Sequence, residues 1–265
     1  MTVPPISGTT RLYAVLGDPV TQVKAPGLVN PLFAAEEVDA VLVPVHVRPD
    51  RLGEVIAGLT VMANVDGLLV TVPHKIAVCR YADRLAPAAV VAGSANALRR
   101  EPDGGWLADN VDGVRFVRGL RAAGHDPAGR RVALVGAGGA GGAIAAALVD
   151  AGVARLRISD TDRVRRDELV SRTNSRRPGS AVGVDEPPGG DVDLAVNATP
   201  LGLRDDDPLP FSPESLPRDC VVADIIMAPE RTRLLREAEG AGRHVHPGIH
   251  MLRFQLDSYR AFFGF

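Results

Sequence analysis

The stretch VALVGAGGAGGAIAAALVDAG, residues 132–152, constrains the fold more than any other part of the chain. Its apolar start has the length of a buried strand, and its alanine-rich end has the pattern of a helix. Between them Gly136, Gly138 and Gly141 stand at G-x-G-x-x-G spacing. Glycine at those positions lets the backbone turn tightly and lets helix and strand approach closely. A strand, a turn of this kind and a helix, followed by the next strand at ARLRISD, make a βαβ unit and hence a parallel sheet.

That unit predicts a dinucleotide cofactor, whose pyrophosphate rests on the helix N-terminus. Gly136, Ala137, Gly138, Gly139 and Ala140 form the expected cradle. Asp160 ends the next strand, where a carboxylate accepts from both ribose hydroxyls and repels a 2′-phosphate. The same residue would also serve as the N-cap of the following helix. Arg163 and Arg165 follow closely, so NAD is preferred with NADP still open.

Short apolar strands alternate with helix-like stretches along the rest of the chain, giving an α/β fold with a largely parallel sheet. The pattern predicts helices over APGLVNPLFAAEEV, RPDRLGEVIAGLTVM, HKIAVCRYADRL and the final MLRFQLDSYRAFF. SANALRRE and WLADN read as paired strands across the turn PDGG. Two domains are expected. Residues 1–111 plus 248–265 form an α/β substrate domain, and residues 112–247 form a Rossmann-type dinucleotide domain. The C-terminal helix packs back on the first domain. MTVPPISGTT reads as a loose tail without a signal-peptide core.

Composition excludes several classes. A net charge of −2 with mixed signs argues against nucleic acid or an anionic membrane as partner. No apolar run reaches the length of a membrane span, so a soluble cytoplasmic protein is expected, monomer or homodimer. Cys79 and Cys220 stand in apolar contexts and read as buried free thiols. His244, His246 and His250 lack a nearby carboxylate or cysteine, so no metal is expected. Asp205–Asp207 reads as a solvated loop.

The chain holds 28 arginines and only two lysines, Lys24 and Lys75. An ammonium can be tuned to give up a proton, and a guanidinium cannot. Lys75 follows a strand stopped by Pro73 and precedes an expected helix, whose dipole would lower the lysine pKa. Asp109, in WLADNVDG, lies just before the domain boundary, where a substrate cleft is expected. Lysine and aspartate converging there make a proton-transfer pair.

In order and spacing, VTVPHK, AGSANAL, ADNVDG, GAGGAGGA, VNATPLG and PGIHMLRFQ resemble the shikimate dehydrogenases, from about Leu12 to Phe263. The resemblance implies a two-domain oxidoreductase moving a hydride between NAD(P) and a ring hydroxyl or ketone. It implies proton transfer by Lys75 and Asp109, and substrate hydroxyls held by Thr71, Asn96 and Gln255. It also implies backbone contacts from Ile225 and Gly248 to the nicotinamide. Taken singly, Asn96 would equally bridge strands, Thr71 fill a strand position and Gln255 face solvent.

The chain departs from the family at the substrate-carboxylate end. Two serines of the family's loop are Val23 and Ala25 here, the asparagine before V-T-V-P is Leu69, and a substrate-facing tyrosine is Met227. An anion against apolar side chains is poorly solvated. The substrate is therefore expected to differ from shikimate at that end, lacking the carboxylate or carrying a bulkier apolar group there. Thr21, Gln22 and Lys24 remain as substitute grips for an acid. Quinate dehydrogenase, aminoshikimate dehydrogenase and a non-catalytic metabolite sensor are the alternatives.

Overall fold

The computed structural model describes residues 6–265, and the counts that follow are of those residues. The chain divides into two compact units. Unit 1 comprises the chain up to Ala89, Ser94–Val111 and Leu256–Phe265, and unit 2 comprises Val90–Gly93 and Asp112–Gln255.

Unit 1 begins with β1 (Arg11–Gly17), α1 (Ala25–Ala35), β2 (Ala40–His46), α2 (Leu52–Val61) and β3 (Val65–Val70). It continues through β4 (Arg84–Leu85), α3 (Pro87–Ala92, whose last residues count with unit 2), β5 (Ala97–Arg100) and β6 (Trp106–Asp109). Its sheet runs β2-β1-β3-β5-β6-β4. β1 pairs in parallel with β2 and β3, while β5 is antiparallel to β3 and β6. The PDGG turn thus joins the paired strands expected there.

Side chains alternate across this sheet, as the strand period requires. Ala14, Leu16, Leu68 and Leu98 cluster with Leu52 and Ile56 of α2 on one face. Tyr13, Val15, Leu42 and Leu69 cluster with Val29 and Phe33 of α1 on the other.

Unit 2 contains α4 (Asp112–Ala122), β7 (Arg131–Val135), α5 (Gly139–Asp150), β8 (Arg155–Ser159), α6 (Arg163–Arg176), β9 (Ala181–Gly183) and β10 (Leu194–Asn197). It continues with β11 (Val221–Asp224), α7 (Arg233–Gly240), β12 (His244–Pro247) and α8 (His250–Arg253). The sheet order is β12-β11-β10-β7-β8-β9, with every pair parallel. This is the doubly wound order, whose switch point lies between β7 and β10. Ile144 and Leu148 of α5, Phe116 of α4 and Leu169 of α6 cover one face. Leu234 and Leu235 of α7 and Phe211 cover the other.

The chain ends in α9 (Gln255–Phe263). Tyr259 and Phe262 join the Tyr13–Phe33 cluster of unit 1. The Phe263 ring stands edge-on to Tyr13 at 5.2 Å, and Arg99 Nη1 donates to the Phe262 carbonyl at 2.6 Å.

Four expectations need correction. HKIAVCRYADRL is not an α-helix: a short 3-10 helix spans Ala77–Tyr81, and Arg84–Leu85 pair with Leu107 and Ala108 of β6. Pairing with a distant strand overrides the local helical pattern there. The final helix is broken into α8 and α9. Residues 1–5 of the expected tail lie outside the described residues. Thr9 and Thr10 are held, however, since their hydroxyls donate to the Asp39 carboxylate at 2.6 and 2.7 Å. The Asp205–Asp207 run is not uniformly solvated: Asp207 is buried and accepts from the backbone N–H groups of Gly202 and Arg204, both at 3.0 Å.

Candidate active site

In unit 1 the sequence-selected residues gather at the ends of β3 and β6. Thr71, just past β3, donates its N–H to the Leu16 carbonyl at 2.9 Å, and its own carbonyl accepts from His74 N–H at 2.9 Å. His74 is buried, and its Nε2–H donates to the Val47 carbonyl at 2.7 Å. That bond ties the VPHK turn to the end of β2 and fixes where Lys75 leaves the turn. Gly17 lies opposite, where an added Cβ would come within 2.5 Å of Thr71 Cγ2.

Ala95 and Asn96 join the two candidate proton-transfer residues through the main chain. Ala95 N–H donates to the Lys75 carbonyl at 2.8 Å, and Asn96 N–H donates to the Asp109 carbonyl at 2.9 Å. The Asn96 carbonyl accepts from Val70 N–H at 2.9 Å. One dipeptide thereby sets Lys75, the end of β3 and the end of β6. Asn96 is 4% exposed, and its Oδ1 accepts from Val111 N–H at 3.0 Å. The side chain bridges strands through Oδ1.

Asp109 closes β6 and is half-buried. Burial pushes its carboxyl pKa up, while the bond from Asn110 N–H to Oδ1 at 2.7 Å and the Arg99 charge pull it back. Lys75 is also half-buried, on the last residue before Ile76 and the 3-10 helix. A five-residue 3-10 helix has too few aligned peptides for the macrodipole expected from the sequence.

In unit 2 the glycine turn takes the expected form. Gly136 has φ of +105°, and a Cβ there would fall 2.7 Å from the Ala198 carbonyl. A Cβ on Gly141 would fall 2.0 Å from the Gly136 carbonyl, so the helix rests directly on the turn. Gly138 is the N-cap of α5 without a side-chain cap, and nothing lies within 4 Å of its Cβ position. Gly139 and Ala140 open the helix. This open backbone cradle at a helix start fits a dinucleotide pyrophosphate.

Asp160 Oδ2 accepts from Ala137 N–H at 2.6 Å, and Oδ1 accepts from Asp162 N–H at 2.8 Å. The carboxylate therefore braces the glycine turn. The N-cap of α6 is Asp162 rather than Asp160: its side chain accepts from Arg165 N–H at 3.1 Å. Arg163 pairs with Asp185 at 3.0 Å, and Arg165 with Asp162 at 3.4 Å.

Ile225 and Gly248 abut, since a Cβ on Gly248 would fall 2.5 Å from the Ile225 carbonyl oxygen. Gln255 is buried at the first residue of α9 and counts with unit 2. Val23, Ala25 and Leu69, drawn from three separate parts of the sequence, share one apolar cluster. Met227 packs against the main apolar cluster of unit 2.

Sequence reasoning missed several buried polar residues that shape these regions. Asn110 Nδ2 donates to Ser94 Oγ at 2.9 Å, with both residues buried. Asn197, Asp224 and Thr232, all fully buried, form a network at the ends of β10 and β11. Polar residues inside the motifs ADNVDG, VNATPLG and CVVADII were the available signal.

The histidines near the end of unit 2 form a ring cluster. His246 is 1% exposed, stacks on His250 at 4.7 Å and lies edge-on to Phe116 at 6.0 Å. Both its ring nitrogens are buried without a hydrogen-bond partner. Among the described residues no group of three or more His, Cys, Asp or Glu is arranged to hold a metal ion. Likewise, no helix among them is long and apolar enough to cross a membrane. Both cysteines are free thiols, and burial pushes Cys220 up to about 11.

Residues 15–98 match the family model described as the shikimate dehydrogenase substrate binding domain. Over 270 residues the chain is 39% identical to the shikimate dehydrogenase (NADP(+)) of Rubrobacter xylanophilus, covering 100% of this chain and 94% of that one. The fold is similar to 5-ketofructose reductase of Gluconobacter sp. strain CHM43, with TM-score 0.84 at 27% identity over 97% of this chain and 94% of that one. It is also similar to shikimate 5-dehydrogenase of Listeria monocytogenes solved with shikimate and NAD. There the TM-score is 0.86 at 28% identity, over 96% of this chain and 92% of that one.

Proposed function

This chain belongs to the shikimate dehydrogenase family of dinucleotide-dependent alcohol oxidoreductases, and we propose that within it the enzyme prefers NAD and acts on a polyhydroxy substrate without a carboxylate. The observation that carries the substrate reading is the shared apolar cluster of Val23, Ala25 and Leu69. A carboxylate placed against those three side chains loses water and gains no donor from them. An uncharged hydroxyketone or its polyol loses far less. The likeness to a protein named for a keto sugar, 5-ketofructose, supports the same reading.

The proposed chemistry divides between the units. Lys75 Nζ delivers the proton to the carbonyl oxygen in reduction and removes it from the hydroxyl in oxidation. The Asp109 carboxylate orients the ammonium and the substrate oxygen. Thr71 and Asn96 Nδ2 hold flanking hydroxyls. Gly136 to Ala140 hold the pyrophosphate, and the main chain at Ile225 and Gly248 orients the nicotinamide end. When bound, the dinucleotide supplies or accepts the hydride.

Asp160 supports NAD, because a 2′-phosphate would meet a carboxylate there. Both nearby arginines are already paired with aspartates, Arg163 with Asp185 and Arg165 with Asp162. The test is a matrix of initial rates, with NADH and NADPH against 5-ketofructose and 3-dehydroshikimate. The expected result is higher kcat/KM for the neutral ketone and for NADH. Higher kcat/KM for 3-dehydroshikimate overturns the substrate reading, and higher kcat/KM with NADPH overturns the cofactor preference.

A further inference from the structure

Asp224 is the last residue of β11 and is 0% exposed. Three groups reach its carboxylate. Asn197 Nδ2 and Ile226 N–H both lie 3.1 Å from Oδ1, and Thr232 Oγ1 lies 2.7 Å from Oδ2. None of the three is charged.

Asn197 Oδ1 accepts from Thr199 N–H at 3.0 Å, which fixes the amide so that Nδ2 faces Asp224. Ile226 N–H is a main-chain donor. Thr232 Oγ1 accepts from Leu235 N–H at 3.4 Å as the N-cap of α7, so its own proton points at Asp224. Thr232 is itself 0% exposed, and Oδ2 of Asp224 accepts its hydroxyl proton. Three donors on an acceptor-only group are the pattern of an ionised carboxylate. Burial raises the Asp224 pKa above the ordinary carboxylate value, and the bonds from Ile226, Thr232 and Asn197 limit that rise.

Among the described residues the groups that hold this carboxylate are neutral dipoles, and their donor pattern fits a buried negative charge. Asp224 adjoins Ile225, whose carbonyl lies against Gly248. In a low-dielectric interior such a charge acts strongly on any charge brought near it. The oxidised nicotinamide ring is a cation, and the reduced ring is neutral.

We propose that Asp224 is a selectivity and positioning residue. Its buried carboxylate fixes the main chain at Ile225 and favours binding of the oxidised over the reduced dinucleotide. This rests on the reading above that Ile225 and Gly248 meet the nicotinamide end. Thr232 and Asn197 act through Asp224 by holding it ionised.

Calorimetric titration of wild type, Asp224→Asn and Thr232→Val with NAD+, NADH and ADP-ribose tests the proposal, with melting curves of each protein. ADP-ribose keeps the phosphates and both riboses and lacks the nicotinamide ring. Asp224→Asn should weaken NAD+ about tenfold, and NADH and ADP-ribose by less than about threefold. Thr232→Val should move the same ratio in the same direction by a smaller factor, and it decides the matter if Asp224→Asn does not fold. Equal losses for all three ligands, or an unchanged NAD+ to NADH ratio, overturn the proposal. Wild type binding NAD+ no tighter than ADP-ribose would instead remove the nicotinamide reading of Ile225 and Gly248, and the proposal with it.

Discussion

On the proposed function, units 1 and 2 prepare their ligands by opposite means. Unit 2 offers main chain: glycines remove side chains from the turn, and Asp160 braces it through Ala137 N–H. Unit 1 offers side chains, and its main-chain bonds serve to hold Lys75 and Asp109 in place through Ala95 and Asn96. The difference teaches where change is tolerated. A main-chain cradle has almost no substitutions open to it, while side chains around a substrate are replaced without disturbing the ladder beneath them. On the proposed function Val23, Ala25 and Leu69, which share one apolar cluster of unit 1, are such replacements.

The largest expected effect comes from removing the one side chain unit 1 cannot replace. Lys75→Ala should lower kcat about 10³-fold with dinucleotide Kd unchanged, because general acid–base groups contribute on that scale. Steady-state kinetics beside calorimetry checks it, and normal turnover would break the division between units. Gly141→Ala tests the other side. Its Cβ would fall 2.0 Å from the Gly136 carbonyl, so the turn must open. Overpacking of 1–3 kcal/mol translates to dinucleotide affinity weaker by up to about 10²-fold. Unchanged affinity would show that the cradle has slack.

Within unit 2, two buried polar residues one position apart on neighbouring strands differ in the same way. Ala223 of β11 pairs with His246 of β12, and Asp224 follows directly. Asp224 has three donors, whereas both nitrogens of His246 have no partner. Burial first, then the charges of His250 and His125, lower the His246 pKa to about 3. His250 and His125 are lowered too, and Arg253 and Glu230 act on His250 in opposite senses. A histidine lowered on folding stays neutral while the unfolded chain takes up a proton. Stability is therefore complete above about pH 6.5 and is lost as pH falls from there towards 3. At pH 5 the loss should be about 2 kcal/mol relative to pH 7.5, or roughly 30-fold in the folding constant. His246→Phe should remove it, as urea melts at the two pH values would show. An unchanged pH slope would place the acid sensitivity elsewhere.

The smallest expected effect is a gain. Val23→Ser with Ala25→Ser returns two hydroxyls to the apolar cluster and should raise kcat/KM for shikimate about tenfold, the scale of a charge-assisted hydrogen bond. No gain would mean that the loop alone does not set selectivity.

The legible parts of the fold were those written locally. The glycine spacing, the PDGG hairpin and the strand–turn at VTVPHK each depend on a few adjacent residues. What escaped depends on distant pairing. Arg84–Leu85 become strand because β6 meets them, although their own neighbourhood looks helical. Asp162 takes the cap while Asp160 reaches back to Ala137, a difference of aim between two aspartates that sequence cannot express. The candidate site shows the same split. Lys75, Asn96 and Asp109 stood out by type and motif, whereas His74, Ser94, Asn110 and Asp224 matter through burial and partners.

The return of α9 to unit 1 has a consequence for synthesis. Phe262 and Tyr259 belong to the cluster around Tyr13 and Phe33, far earlier in the chain. Unit 2 draws almost all its residues from one continuous segment and can close as soon as that segment has emerged. Unit 1 is begun before unit 2 and closed after it, once Tyr259 and Phe262 reach the cluster around Tyr13 and Phe33.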